Sequence, residues 1–168
     1  MYKKLIYLIL CLSFFACPKK VTPPTPQEVT PPTVEEKIEV EEPSVRGEEF
    51  ISIPELQNVY FEFDKFDLTN EAKEILRKNA DYLIANPQYE ILVEGHTCEC
   101  GSNEYNLGLG QKRASAVRDY YINLGVKANR IATISYGEEK PVNPNAGPPD
   151  SSLCKPNRRA ETKVRVKK

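Results

Sequence analysis

The pattern of apolar and polar residues divides residues 55–168 into strand-like and helix-like segments. Residues 58–63 and 89–94 are short runs of β-branched, aromatic and aliphatic residues, which are typical of strands. Residues 130–137 form a third run, and 159–168 alternate threonine or valine with charged residues, as in a strand with one solvated face. The second run contains three consecutive aliphatic residues, which predicts burial on both faces of a sheet.

Between these strands, apolar residues recur at three- and four-residue spacings in two segments, which predicts two helices. Thr69 or Asn70 can cap the first helix. The second ends at Gly125, where we expect a left-handed C-cap. Gly108 and Gly110 lie inside the second helix, where each costs about 1 kcal/mol relative to alanine. The helix therefore either begins after these glycines or packs closely against a neighbour at them.

The order β-α-β-α-β-β predicts a two-layer α/β sandwich. Helices that lie between strands favour largely parallel neighbours, and both helices should cover the same face of the sheet. The polar segments 63–67 and 95–102 follow the first two strands. In a parallel sheet they share one rim, where open α/β sheets tend to bind ligands. Arg113, early in the second helix, should face that rim.

The first 54 residues differ in composition from the rest. Residues 1–17 carry lysines before an apolar run that is too short to span a bilayer, which favours a secretory signal over a membrane anchor. Residues 18–54 contain eight of the 14 prolines, and eight acidic against four basic residues. This composition indicates an extended spacer or a disordered tail, and its place before the predicted domain favours the spacer.

The end of the signal, Ala16-Cys17, resembles a bacterial lipoprotein box. The resemblance implies that Cys17 is lipidated and becomes the mature N-terminus. Such a chain is tethered to a membrane by its acyl groups and is not an integral membrane protein. The remaining residues, 55–168, carry 17 Lys and Arg against 16 Asp and Glu. This balance gives no reason to expect a nucleic-acid partner.

Four motifs in one consistent order carry a resemblance to a known family. They are "VYFEFDKFDLTNEAKEILRKNADYLIANPQYEILVEGHT", "EYNLGLGQKRASAVRDYYINLGV", "RIATISYGEEKP" and "NRRAETKVRV". Together they resemble the OmpA-like peptidoglycan-binding domain over about residues 58–167. The resemblance implies a protein without catalysis or cofactor that binds the diaminopimelate of peptidoglycan stem peptides. It also implies a lipid anchor in the outer membrane, a domain facing the periplasm, and a tether between that membrane and the cell wall.

The family's ligand-binding positions transfer to this sequence one by one. Arg113, in "QKRA", matches the arginine that holds the ligand carboxylate, and a guanidinium suits such a bidentate acceptor. Asn106, in "EYN", matches an asparagine that offers both a donor and an acceptor. The other implied binding residues are Phe63, Asp64, Thr97, Cys98, and either Arg158 or Arg159 in "NRR", which closes the site.

Cys98 departs from the family, whose members usually have an aspartate there to accept the ligand's ammonium. A thiol or a disulfide cannot supply that charge. The loss of one charge-assisted hydrogen bond, roughly 1.5 to 3 kcal/mol, weakens binding about ten- to a hundredfold. Glu99 or Asp64 can restore the affinity if either takes over the role.

Removal of the signal and lipidation of Cys17 leave Cys98, Cys100 and Cys154. An exported domain favours disulfides, and Cys154 precedes the "NRR" segment that should approach the same rim. We therefore expect Cys154 to pair with Cys98 or Cys100. A direct bond between Cys98 and Cys100 is sterically awkward.

Three alternative interpretations of the sequence are a thiol-dependent enzyme, a zinc site and a protein scaffold. A thiol-dependent redox or hydrolytic enzyme of the envelope would use Cys98 or Cys100 as its nucleophile and His96 as its base. A zinc site could recruit His96 and the cysteines, but alternate residues at a strand end point to opposite sides and no Cys-x-x-Cys pair is present, so we expect no metal. A scaffold would contact other envelope proteins, as family relatives contact periplasmic proteins of the Tol system.

Overall fold

The computed structural model describes residues 42–45 and 49–167. The predicted signal at 1–17, its lipidation site Cys17 and most of the predicted spacer at 18–54 lie outside the described residues. Within the described part of the chain, no helix is both long enough and apolar enough to cross a bilayer.

The described residues contain the predicted strands and helices in the predicted order. They are β1 (Val59–Tyr60), α1 (Asn70–Ala85), β2 (Tyr89–His96), α2 (Asn103–Asn123), β3 (Ile131–Gly137) and β4 (Arg159–Val166). Short 3-10 turns precede β3 and β4, at Ala128–Arg130 and Lys155–Asn157. The β-α-β-α-β-β order is therefore confirmed. The second helix runs through both of its glycines and does not begin after them.

The strands form a sheet in the order β1, β4, β2, β3. The pair β2 and β3 is parallel, whereas β4 runs antiparallel to both β1 and β2. The expectation of largely parallel neighbours is wrong for these pairs, because the last strand enters between the first two. Since β1 and β2 are each antiparallel to β4, they still run in the same direction. Their carboxyl ends therefore meet at one rim, as predicted.

Both helices cover one face of the sheet, which makes the fold a two-layer sandwich. The core between the layers consists of fully buried side chains, among them Leu76 and Leu83 of α1, Val117 and Tyr121 of α2, Ile91 and Val93 of β2, and Val164 of β4. Each such aliphatic side chain contributes about 1.5 to 3 kcal/mol when buried. The Tyr121 hydroxyl is hydrogen-bonded to Asn79 at 3.1 Å and Thr162 at 2.9 Å, so its polar end is satisfied inside the core.

Capping interactions fix the helix ends. The Thr69 hydroxyl accepts from the backbone N–H of Ala72 at 3.1 Å, so Thr69 is the N-cap of α1. Ser102 accepts from the N–H of Tyr105 at 3.2 Å and caps α2 in the same way. Gly125 follows α2 with a φ of 103°, which confirms the predicted left-handed residue. The cap at Ser102 starts α2 at the rim where β2 ends.

The helix α2 lies close to β2 where Gly95 and Gly110 face each other. A Cβ on Gly95 would lie 1.9 Å from the carbonyl oxygen of Gly110, and a Cβ on Gly110 would lie 2.3 Å from Ser135 Oγ. The overlap at Gly95 is with backbone, so that position requires glycine. A Cβ on Gly110 would displace the Ser135 hydroxyl and would lie 3.0 Å from the Gly95 carbonyl oxygen, so a side chain there is also unfavourable. At Gly108, a Cβ would meet no atom within 4 Å. Close packing therefore explains Gly110 but not Gly108.

The segment before the predicted domain covers part of the other face of the sheet. Phe50 is buried against Leu92 and Ala132, and Ile51 pairs with Val164 of β4. The fold therefore begins before the predicted boundary at residue 55. The acidic residues and prolines of the spacer dominate its composition and hide this short apolar stretch at its end.

Candidate functional site

A cavity of about 280 Å³ lies at the rim where β1 and β2 end and α2 begins. It is lined by Phe63 and Asp64 after β1, by Thr97, Cys98, Cys100 and Gly101 after β2, by Tyr105, Asn106, Leu109 and Arg113 of α2, and by Arg158 before β4. Aromatic and apolar surface surrounds a few polar groups, as in most ligand pockets. The cavity lies on the rim predicted from the order of the strands.

Arg113 is completely buried in the wall of this cavity. Its guanidinium donates to three backbone carbonyls, from Nε to Lys65 at 2.9 Å, from Nη1 to His96 at 2.8 Å and from Nη2 to Glu62 at 3.3 Å. It also lies 5.1 Å from the centre of the Phe61 ring. Burial lowers the pKa of Arg113 to about 10, so it is still a cation at neutral pH. The three bonds leave one N–H on each terminal nitrogen.

Arg158 brings a second guanidinium to the cavity. It donates from Nε to the carbonyl of Phe61 at 3.1 Å and from Nη1 to that of Pro149 at 3.0 Å. Its Nη2 has no hydrogen-bond partner among the residues that the structure describes. Arg159 instead places its Nη2 3.3 Å from Glu161 Oε2, outside the cavity. Successive residues of an extended chain face opposite sides, so Arg158 alone of the two predicted arginines reaches the site.

Neither Arg113 nor Arg158 forms an ion pair with a carboxylate in the described part of the chain. Arg165, by contrast, lies 2.7 Å from Glu90 Oε2. A buried cation without an anionic partner is unfavourable. The cavity is lined by these two cations and by one carboxylate, that of Asp64, so an excess of positive charge remains that favours an anionic group.

Hydrogen-bond acceptors line the same cavity. The Asn106 side-chain nitrogen donates to Glu138 Oε2 at 2.6 Å, which leaves its carbonyl oxygen for a ligand. The buried Thr97 hydroxyl has no partner among the described residues. Asp64, with a left-handed φ of 58°, accepts a hydrogen bond from the Tyr105 hydroxyl. These oxygen atoms suit a cationic group such as an ammonium.

Three cysteines meet beside the cavity. The Sγ atoms of Cys98, Cys100 and Cys154 lie within 4.8 Å of one another as free thiols. The backbone N–H of Cys100 donates to the Cys98 carbonyl at 2.8 Å, which closes a tight turn. The expectation that these side chains point to opposite sides is wrong, because residues two apart in an extended chain share a side, and the turn after β2 keeps Cys98 and Cys100 together. Burial raises the pKa of Cys100 to about 12 and also raises that of Cys154, so both thiols stay protonated at neutral pH.

His96 does not join the thiols. Its Nε2 lies 3.5 Å from Glu94 Oε2 and 3.9 Å from Glu161 Oε2, and its ring stacks on Tyr136 with centroids 5.7 Å apart. Burial lowers the pKa of His96, which favours the neutral imidazole. No hydrogen bond links it to a cysteine among the described residues. A cysteine nucleophile with His96 as its base therefore lacks the contact that the chemistry requires.

The cavity gathers most of the predicted binding residues, namely Phe63, Asp64, Thr97, Cys98, Asn106, Arg113 and Arg158. The structure excludes Arg159 from it. Sequence reasoning missed Tyr105, which fits the apolar stripe of α2 but is 52% exposed and bonds to Asp64. Tyr105 directly precedes Asn106 and lies in the first turn of a helix that begins at the rim. This position in the sequence is the signal that could have identified Tyr105 as a residue of the cavity. Glu138 was also missed, although it directly follows β3.

Comparison with known proteins finds similarity to the OmpA family and to peptidoglycan-associated lipoproteins. Residues 60–153 match the OmpA family. A peptidoglycan-associated lipoprotein from Haemophilus influenzae is 50% identical over 95 residues, which cover 54% of this chain and 62% of that protein. One from Rhizobium meliloti is 45% identical over 104 residues, covering 62% and 57% respectively. The match thus spans less than two thirds of the length of these relatives.

Solved structures share the fold. The crystal structure of the peptidoglycan-associated lipoprotein from Burkholderia pseudomallei matches with a TM-score of 0.60 and 42% identity, covering 64% of this chain and 89% of that one. The C-terminal domain of Helicobacter pylori MotB matches with a TM-score of 0.57 and 22% identity, covering 66% and 84%. This second similarity is one of fold alone.

Proposed function

The chain belongs to the OmpA family, and from this premise we propose that its folded domain binds peptidoglycan and catalyses no reaction. The observation that carries the proposal is the pair of buried cations, Arg113 and Arg158, which line one cavity and have no ion-paired carboxylate among the described residues. A peptidoglycan stem peptide supplies such a carboxylate. The relatives from Haemophilus and Burkholderia are named for their association with peptidoglycan, which supports the same ligand here.

Diaminopimelate in the stem peptide carries a free carboxylate and a free ammonium, and the cavity offers partners for both. The carboxylate accepts from Nη2 of Arg158 and from the remaining N–H groups of Arg113. The ammonium donates to the Asn106 carbonyl oxygen and to Asp64, and the Thr97 hydroxyl is a further acceptor. No proton or group is transferred, so the site binds its ligand without catalysing a reaction.

Asp64 takes the role that Cys98 cannot fill. Of the two candidate carboxylates, Glu99 accepts from the backbone N–H of Asn145 at 2.8 Å and does not line the cavity. Asp64 does line it, and its carboxylate already accepts from Tyr105. The ammonium therefore interacts with Asp64.

The rest of the chain extends the proposal to a tether. Acyl groups on Cys17 would hold the mature N-terminus in the outer membrane, and the spacer at 18–54 would let the domain reach the wall from the periplasmic side. Periplasmic proteins of the Tol system are further proposed partners.

We also propose that Cys154 is joined to Cys98 or Cys100 in the exported chain. A thiol–disulfide oxidoreductase would accept the two electrons and two protons. The crosslink closes a loop of roughly 55 residues, which adds about 4 kcal/mol of stability on the chain-entropy model. Mass mapping without reduction, on protein taken from its own compartment, should find a crosslinked peptide containing Cys154. Three free thiols in that sample would contradict the crosslink.

Binding itself is tested by pelleting with purified sacculi, where the wild-type chain should sediment with the wall. Replacing Cys98 by aspartate should leave the affinity unchanged or raise it up to about a hundredfold, since it adds one charge-assisted hydrogen bond to the ammonium. Cys98→Ser is the matched control because it removes the thiol without adding charge, and it should show no gain. Failure of the wild type to sediment contradicts the function, and an equal gain in both variants contradicts the role of charge at this position.

A further inference from the structure

The three thiols beside the cavity come from two distant parts of the chain. Cys98 and Cys100 lie in the turn after β2, and Cys154 directly precedes the 3-10 turn before β4. Cys98 and Cys154 are only 4% and 1% exposed. Peptidoglycan binding gives no reason to bring three sulfur atoms within 4.8 Å of one another.

This spacing is close to that of a metal thiolate centre. Zinc binds cysteine sulfur at about 2.3 Å, so two sulfurs on a tetrahedral ion lie roughly 3.8 Å apart. Sulfurs that are already within 4.8 Å need only small side-chain rotations to reach that distance. The tight turn from Cys98 to Cys100 replaces the two-residue spacer that many zinc sites use.

We propose that Cys98, Cys100 and Cys154 form a binding site for a thiophilic d10 metal ion, with Zn²⁺ as its representative. The ion replaces the three thiol protons, which pass to the solvent. Three thiolates and one divalent ion carry a net charge of −1. Arg113 and Arg158, which form no ion pair with a carboxylate among the described residues, line the cavity that Cys98 and Cys100 also line. The fourth coordination position is left for water or for a group in the cavity.

The metal centre and the proposed disulfide use the same sulfur atoms and exclude each other. A disulfide between Cys154 and either partner leaves one thiol, which is too few for a stable zinc site. The metal therefore binds the reduced chain, and the crosslink belongs to the oxidised chain. The turn after β2 is joined to the segment before β4 both in the metal-bound chain and in the oxidised chain. These two parts of the cavity wall are therefore held together in both states.

A second cluster, Glu94, His96 and Glu161, also brings possible ligand atoms within 4.8 Å of one another. Its carboxylates already have cationic partners: Lys163 lies 3.0 Å from Glu94, and Arg159 lies 3.3 Å from Glu161. A divalent ion there would have to displace these partners. This cluster therefore serves as the control site.

The test uses the full chain, reduced with a phosphine under anaerobic conditions, incubated with zinc chloride and desalted. Metal analysis should find about one zinc ion per chain that is lost in Cys154→Ser and in Cys100→Ser and kept in Glu161→Gln. Cadmium in place of zinc should give the ultraviolet charge-transfer band of metal thiolates. Zinc should also raise the melting temperature of the reduced wild type, but not that of Cys154→Ser.

Oxidation of the wild-type chain provides a test that needs no substitution. A chain oxidised to the disulfide should lose its zinc and recover it after reduction. Zinc that remains bound to Cys154→Ser, zinc that is lost from Glu161→Gln alone, or a folded, reduced wild type that binds none would each overturn the proposal. Wall binding is measured separately, by sacculus pelleting of the metal-free wild type, so a failure of zinc binding is distinct from a failure of wall binding.

Discussion

Replacing Gly95 by alanine should unfold the domain or lower its free energy of unfolding by at least about 3 kcal/mol. The new Cβ would lie 1.9 Å from the carbonyl oxygen of Gly110 and 2.6 Å from its carbonyl carbon. These are backbone atoms of α2, so no side-chain rotation relieves the overlap and the helix must move away from the sheet. Urea unfolding followed by circular dichroism measures the change.

The matched control is Gly108→Ala, in the same helix and two residues from Gly110. A Cβ there meets nothing within 4 Å, so alanine should stabilise the domain by about 0.5 to 1 kcal/mol through its higher helix propensity. Similar effects of the two substitutions would show that the close approach of α2 to β2 does not carry the predicted strain.

The contact between Gly95 and Gly110 also affects the position of Arg113 in the site. Gly95 precedes His96, whose carbonyl accepts from Arg113, and Arg113 lies three residues after Gly110 on α2. A helix pushed off the sheet at Gly110 moves the buried guanidinium with it. The two glycines therefore help to position Arg113 in the wall of the cavity.

Replacing Arg113 by lysine should weaken binding of a diaminopimelate stem peptide at least tenfold, or about 1.4 kcal/mol. Lysine keeps the positive charge, but its shorter, pointlike ammonium cannot serve three carbonyls and also present a donor to the ligand. Alanine should abolish binding but leaves three carbonyls without their donor and destabilises the fold. Arg113→Lys therefore tests ligand binding with less damage to the fold than Arg113→Ala does. Isothermal titration measures the affinity.

Arg118→Lys is the control for Arg113→Lys. Arg118 lies on the same helix, but it pairs with Glu42 at 2.8 Å and does not line the cavity. Its replacement should leave the affinity unchanged. A folded Arg113→Lys variant with wild-type affinity would show that the bidentate donors of Arg113 take no part in binding.

The helices and their order could be predicted because their signals are local. Thr69, Gly125 and the apolar stripes act through residues three or four positions apart, so the sequence displays them directly. The place of β4 could not be predicted in this way. Its insertion between β1 and β2 depends on pairing across the whole chain, and neighbouring positions in sequence favoured a parallel arrangement.

The residues of the site also divide into those that local motifs predict and those whose positions depend on distant parts of the chain. Residues that belong to motifs, such as Arg113 and Asn106, reach the cavity as predicted. The choice between Arg158 and Arg159 depends on the phase at which the chain enters β4, which the motif does not specify. Cys98 and Cys100 are two residues apart, so even an extended chain would place them on one side. Their meeting with Cys154 depends on packing between distant parts of the chain, which local sequence does not display.

The most direct measurement of the central claim compares two stem peptides that differ by one carboxylate. One contains diaminopimelate, and in the other lysine takes its place, so the ammonium remains and the carboxylate is lost. Titration of the wild-type chain should show at least about tenfold weaker binding of the lysine peptide, because Arg113 and Arg158 lose their anionic partner. Equal affinities for the two peptides would contradict the claim that these buried arginines hold the carboxylate of the wall.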